Sequence, residues 1–83
     1  MIKTEITIGR DLTADASPIA LLVQTANRYE SAVYLESGEK RINAKSMMGM
    51  MTLRLLYGEK MTIETDGEDE EEANRAVADF LKG

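Results

Sequence analysis

Ser46 is the side chain that the sequence best places for chemistry, because it heads the run Ser-Met-Met-Gly-Met-Met over residues 46–51. A serine before a helical run is an N-cap, whose oxygen accepts an N–H of the first turn, and that role alone accounts for a serine there. A phosphate would also sit well at this position. Its charge of about −1.5 to −2 would face the positive end of the helix dipole, so modification would add a recognition charge without melting the helix. Seven of the ten residues from Met47 to Leu56 are apolar, more than one face of a short helix can bury, so some must stay exposed. Methionine is flexible and polarizable and suits an adaptable contact surface, which makes Met47, Met48 and Met51 candidates for partner contact, while core filling is their ordinary role.

Other reactive groups carry less. Asp11 and Asp15 could pair for acid–base work, but no pocket is legible that would split their pKa values. The acidic run Glu68 to Glu72 lacks the spaced oxygen ligands and central glycine of a calcium loop, and reads as a solvated helix start with no metal bound. Lys40, Arg41 and Lys45 form a small basic cluster that reads as solubilising surface. With no cysteine there is no disulfide, thiolate metal site or nucleophilic thiol. With no histidine the commonest near-neutral general base and the commonest zinc ligand are gone. No cofactor is expected.

These groups must be positioned by a small framework, since 83 residues allow one domain with one core. Apolar residues at 43% against charged residues at 30% match a globular chain and exclude a disordered one. The net charge of −5 excludes gain from phosphate neutralisation, so neither nucleic acid nor an anionic membrane is an expected partner. Lys3 and Glu5 interrupt the opening segment, which is not a signal peptide, and no apolar run approaches the roughly 20 residues of a membrane span. A cytoplasmic location is expected.

Ile2, Thr4, Ile6 and Ile8 alternate with polar residues as a half-buried strand does. Ser17-Pro18 then opens a helix as cap and first helical position, with Ile19, Leu22, Val23 and Ala26 as its apolar stripe and an end near Asn27. Residues 32–36 and 40–44 read as strands around a tight Ser37-Gly38-Glu39 turn. A short helix spans Met47 to Leu56, weakened by Gly49, and residues 60–66 form a fourth strand closed by Asp66-Gly67. The last helix has an acidic start and a stripe of Ala73, Ala76, Val77 and Phe80. The order strand, helix, strand, strand, short helix, strand, helix favours an α+β domain, an antiparallel four-stranded sheet with helices on one face.

This order resembles the HPr family of the bacterial sugar phosphotransferase system. The likeness rests on Ser17-Pro18, LLVQTANRY at 21–29, NAKSMMGMM at 43–51 and GEDEEEA at 67–73, and covers essentially the whole chain without gaps. It implies an open-faced β-sandwich with three helices on one face. Family members carry a phosphoryl group on the histidine of the pattern G-x-H-A-R-P. This chain has Thr13-Ala14-Asp15-Ala16-Ser17-Pro18, with Asp15 in place of the histidine and Ser17 in place of the arginine. A carboxylate cannot form the phosphoramidate of the carrier, so no phosphohistidine carriage and no catalysis are expected.

A second family pattern, N-x-K-S-x-M-G-x-M, is matched by Asn43, Lys45, Ser46, Met48, Gly49 and Met51. In HPr proteins of low-GC Gram-positive bacteria this serine is phosphorylated from ATP by HPr kinase/phosphorylase, and the product docks on a LacI-type catabolite control repressor. The resemblance is greatest to the histidine-lacking, catabolite-repression HPr-like subgroup. It implies a regulatory role, with Ser46 as the switch and Lys45, Met47, Met48 and Met51 at the partner surface. That subgroup has glutamine at the position of Asp15 and arginine at that of Ser17. Two alternatives involve Asp15: an acyl phosphate formed on its carboxylate, or a fixed negative charge imitating phosphohistidine before other phosphotransferase-system proteins.

Overall fold

The computed structural model describes residues 1–12, 17–53 and 55–83. Its elements follow the chain as β1 (Ile2–Thr7), α1 (Ser17–Asn27), β2 (Ala32–Ser37), β3 (Lys40–Asn43), α2 (Met47–Met51), β4 (Lys60–Asp66) and α3 (Glu70–Lys82). The strands form one antiparallel sheet in the order β1-β4-β2-β3. Period-two alternation sets which residues share a face. Ile6, Val33, Leu35, Met61 and Ile63 enter the core with Leu22 and Ala26 of α1 and Val77 and Leu81 of α3. Each fully buried leucine or valine contributes about 1.5 to 3 kcal/mol, so this single layer of contacts holds the sheet to its helices.

The β2–β3 hairpin closes through Gly38 and Glu39, because Ser37 already pairs with Lys40. Gly38 has φ of 61°, the positive value that a two-residue type II′ hairpin requires at its first position. Gly9 is required for a different reason. Its N–H donates to the Leu81 carbonyl at 2.9 Å, and a Cβ here would run into the carbonyl of Lys82. The chain leaving β1 is thus pinned to the end of α3, and Ile8 is bonded on both sides, to Glu59 and Gly58, at 2.8 Å.

Among the described residues the other sheet face has no helix over it and is covered by charge. Lys3, Glu36, Arg41 and Glu64, one from each strand, meet there. The Arg41 guanidinium reaches Glu64 at 2.8 Å and Glu36 at 3.2 Å, and stacks over the Tyr34 ring at 3.7 Å from its centroid. Lys3 approaches Glu64 at 3.6 Å. The hydrogen bond from Arg41 holds the Glu64 carboxyl below the usual carboxylate range against the opposing effect of burial.

Four expectations are corrected. The short helix ends at Met51, because Thr52 turns back to the Gly49 carbonyl through both N–H, at 3.1 Å, and hydroxyl, at 2.7 Å. Leu53 and Leu55 then bury from an irregular segment, not from a helix extending to Leu56. In α3 the buried stripe is Ala73, Asn74, Val77, Ala78 and Leu81, rotated so that Ala76 and Phe80 lie at its margin. Asn74 is drawn inward because its amide donates to the Ile63 carbonyl at 3.3 Å. Lys40, Arg41 and Lys45 form no basic patch, since Arg41 joins the open-face ion network and Lys45 turns to the α1–β2 loop. Ser17 is itself the first residue of α1, one position earlier than its expected role as cap.

Candidate functional site

Local hydrogen bonding builds the Ser46 turn. The Asn43 side chain accepts from the Lys45 N–H at 2.9 Å, and the Ser46 N–H donates to the Asn43 carbonyl at 3.0 Å, which turns the chain sharply out of β3. Ser46 has extended backbone angles, φ −100° and ψ 113°, and its hydroxyl oxygen accepts from the Gly49 N–H at 3.2 Å. It caps α2 as the sequence predicts. Its own carbonyl accepts from Met50 N–H at 2.9 Å, starting the helix. Gly49 lets this turn lie against β3, because a Cβ there would stand only 3.1 Å from the Ile42 side chain.

The methionines of α2 divide sharply. Met50 is fully buried, whereas Met48 is 85% and Met51 55% exposed, and Met47 is exposed to a lesser degree. Among the described residues this places a half-buried hydroxyl beside three accessible thioethers. Lys45 is placed differently from a free surface cation. Its ammonium donates to the Tyr29 carbonyl at 2.6 Å, and its own carbonyl accepts from the Asn27 side chain at 3.2 Å. Neither contact had a sequence signal, because 16 and 18 residues separate the partners. Leu21, 52% exposed on α1, is a further accessible apolar residue that the sequence reading missed; it falls outside the Ile19, Leu22, Val23, Ala26 stripe.

Asp15, with Thr13 and Ala16, lies outside the described residues, and Ser17 is exposed at the start of α1.

The acidic run is more than a solvated helix start. Asp69 occupies the N-cap position of α3 without capping it, and instead accepts from Glu30 N–H at 3.0 Å, Ser31 N–H at 2.9 Å and the Ser31 hydroxyl. These bonds, the Ser31 hydroxyl first, hold its carboxyl below the ordinary range. Gly67 is forced by the same junction, because it has φ of 154° and a Cβ would lie 2.6 Å from the Ser31 Cα. Glu70 bends back to accept from the Gly67 N–H at 3.2 Å.

A four-stranded antiparallel sheet backed by three helices, with a capped serine and exposed methionines at one corner, defines a small α+β module with an accessible apolar corner. Comparison with known proteins gives the family. The description "PTS HPr component phosphorylation site" matches residues 2–83, and the chain belongs to the HPr family of the phosphotransferase system. It is 38% identical to the HPr-like protein Crh of Halalkalibacterium halodurans over 99% of this chain and 98% of that one. It is 39% identical to the phosphocarrier protein HPr of Neisseria meningitidis serogroup A, over 100% of this chain and 93% of that one. The crystal structure of HPr-C-His from Thermoanaerobacter tengcongensis superposes with a TM-score of 0.90 at 38% identity, over 99% of this chain and 92% of that one. The expected fold, with its sheet open on one face and three helices on the other, is the one observed. Such proteins are carriers or regulators, and family members interact with phosphotransferase-system components. Among the described residues no helix is long and apolar enough to cross a membrane. Near-equal identity to a Crh and to an HPr leaves the division between the two roles to individual residues.

Proposed function

We propose that this protein is an HPr-like regulator of carbon catabolite control, switched by phosphorylation of Ser46 and unable to carry phosphate on histidine. The observation that carries this reading is a serine at the head of α2, flanked by exposed Met47, Met48 and Met51, in a chain with no histidine. In the reaction the Ser46 hydroxyl oxygen forms a bond to the γ-phosphorus of ATP, ADP leaves, and the hydroxyl proton is released. ATP is the donor and an HPr kinase/phosphorylase the catalyst. The added dianion would take the net charge from −5 to about −7 and offer charge-assisted hydrogen bonds to arginine on a partner. The partner is a LacI-type catabolite control repressor, which takes the phosphate with basic side chains while the methionines supply apolar contact. Lys45 borders the same surface. The protein acts in the cytoplasm as a binding module.

Intact-mass spectrometry after incubation with HPr kinase and ATP tests this, with Ser46→Ala as control. The expected result is one phosphate on the parent and none on the variant. An unmodified parent would reduce Ser46 to a helix cap and turn attention to Asp15.

A further inference from the structure

The α1–β2 loop, residues 28–31, is tied down from two sides. On one side Lys45 donates its ammonium to the Tyr29 carbonyl at 2.6 Å, and Asn27, the last residue of α1, joins the Val23 carbonyl at 2.9 Å to that of Lys45 at 3.2 Å. On the other side the Asp69 carboxylate accepts from the Glu30 and Ser31 N–H groups. Between them, among the described residues, the loop backbone's own bonds are long, from Arg28 N–H to the Thr25 carbonyl at 3.2 Å and from Tyr29 N–H to the Ala26 carbonyl at 3.3 Å. The pin from Lys45 therefore matters to the loop. It is also the one of the two that a charge at Ser46 would disturb.

Neighbouring Cα atoms are 3.8 Å apart, and the four-carbon stem of a lysine can swing its ammonium over the adjacent residue. In the unmodified protein that ammonium meets a neutral carbonyl. A dianion on the next residue offers an acceptor whose hydrogen bonds are about twice as strong, and the ammonium cannot serve both as well as one. We propose that Lys45 is a relay: negative charge at Ser46 draws its ammonium off the Tyr29 carbonyl, and the α1–β2 loop, left with the Asp69 clamp and the Asn27 bond to the Lys45 carbonyl, loosens. The inference rests on Ser46 being the modified residue. It adds to that reading a conformational signal, since the switch changes the backbone that joins α1 to β2 as well as the surface charge. The loosened loop would present the Tyr29 carbonyl as a free acceptor beside the modified serine.

The test does not depend on a kinase. Amide hydrogen exchange at Tyr29, Glu30 and Ser31 is compared in the parent, Ser46→Asp, Ser46→Ala, Lys45→Met and the Ser46→Asp/Lys45→Met double variant, with amides of β4 as the global reference. Lys45→Met keeps the apolar stem and removes the charged head. Ser46→Ala removes the cap without adding charge. The expected result is exchange about tenfold faster at the three loop amides in Ser46→Asp and in Lys45→Met than in the parent and in Ser46→Ala, with β4 unchanged. The double variant should be no faster than Lys45→Met alone, because both changes remove the same bond. Unaltered loop exchange in either single variant, or effects that multiply in the double, would overturn the relay. A parent that the kinase leaves unmodified, with the relay seen in Ser46→Asp, would remove the phosphorylation reading and leave the coupling intact.

Discussion

The open face of the sheet and the corner around α2 are both surfaces, yet their side chains are satisfied in opposite ways. On the open face Lys3, Glu36, Arg41 and Glu64 neutralise one another, with Arg41 stacked on Tyr34 and Glu64 nearly sealed from water. Such a closed set has few bonding groups left over for a partner. At α2 the apolar side chains of Met47, Met48 and Met51 face solvent, and the Ser46 hydroxyl oxygen accepts a long 3.2 Å bond from Gly49 N–H. A surface that completes its own contacts serves the fold; one that leaves apolar area uncovered is available to another molecule.

The largest expected effect separates the two roles within α2 itself. Met50→Ala should lower unfolding free energy by about 2 to 4 kcal/mol in urea titration, since Met50 is fully buried and truncation leaves a cavity. A loss below about 1 kcal/mol would mean that α2 is loosely docked, and would dissolve the contrast between its faces.

The second effect belongs to the carboxylates. Arg41 lowers the Glu64 pKa from an ordinary 4.5, and Ser31 with two backbone amides lowers that of Asp69 from 3.8. For both groups the unfolded chain takes up a proton more readily than the folded one, so acid favours unfolding. The stability they contribute is present above these ordinary values and lost as pH falls through the lowered ones. Thermal melts of the parent from neutral pH into the acid range should show a steep fall, and Glu64→Gln and Asp69→Asn should each flatten it. A parallel slope in Glu64→Gln would show that the open-face network does not hold the sheet.

Ser46→Ala should cost about 1 kcal/mol through the lost cap, read in the same urea titration. An unchanged midpoint would assign the serine wholly to recognition. The smallest effect on stability is expected for Met48→Ala, within about 0.5 kcal/mol, because the side chain is 85% exposed. The same variant should weaken docking of phosphorylated protein on a repressor, measured by titration calorimetry, and equal affinity would move the contact surface elsewhere.

Much of this was legible in residue order. β1 and β4 appear as alternating apolar positions, α1 as an Ile19, Leu22, Ala26 stripe closed by Asn27, and the hairpin as Gly38 between short β-branched runs. Ser46 was recognisable as a cap because capping is a contact with a residue three positions on, within reach of local reasoning. The differences turn mostly on packing against the core and the sheet. The methionine run reads as a short helix reaching Leu56, and its end at Met51 depends on Thr52 folding back and on Leu53 and Leu55 finding the core. The α3 stripe reads through Ala76 and Phe80, while the observed rotation follows from Asn74 meeting the Ile63 carbonyl of β4.

The sequence by itself determined the class of fold, the order of elements, the absence of a histidine and the serine at the head of a methionine helix. These follow from composition, period and contacts a few residues apart, which the chain expresses wherever it folds. Only the tertiary structure decided which methionines remain uncovered, that Arg41 belongs to the open face, that Asp69 clamps the α1–β2 loop and that Lys45 binds the Tyr29 carbonyl. The last three each include a contact between residues 16 or more positions apart, and such a contact exists only after the sheet has set the register that brings them together.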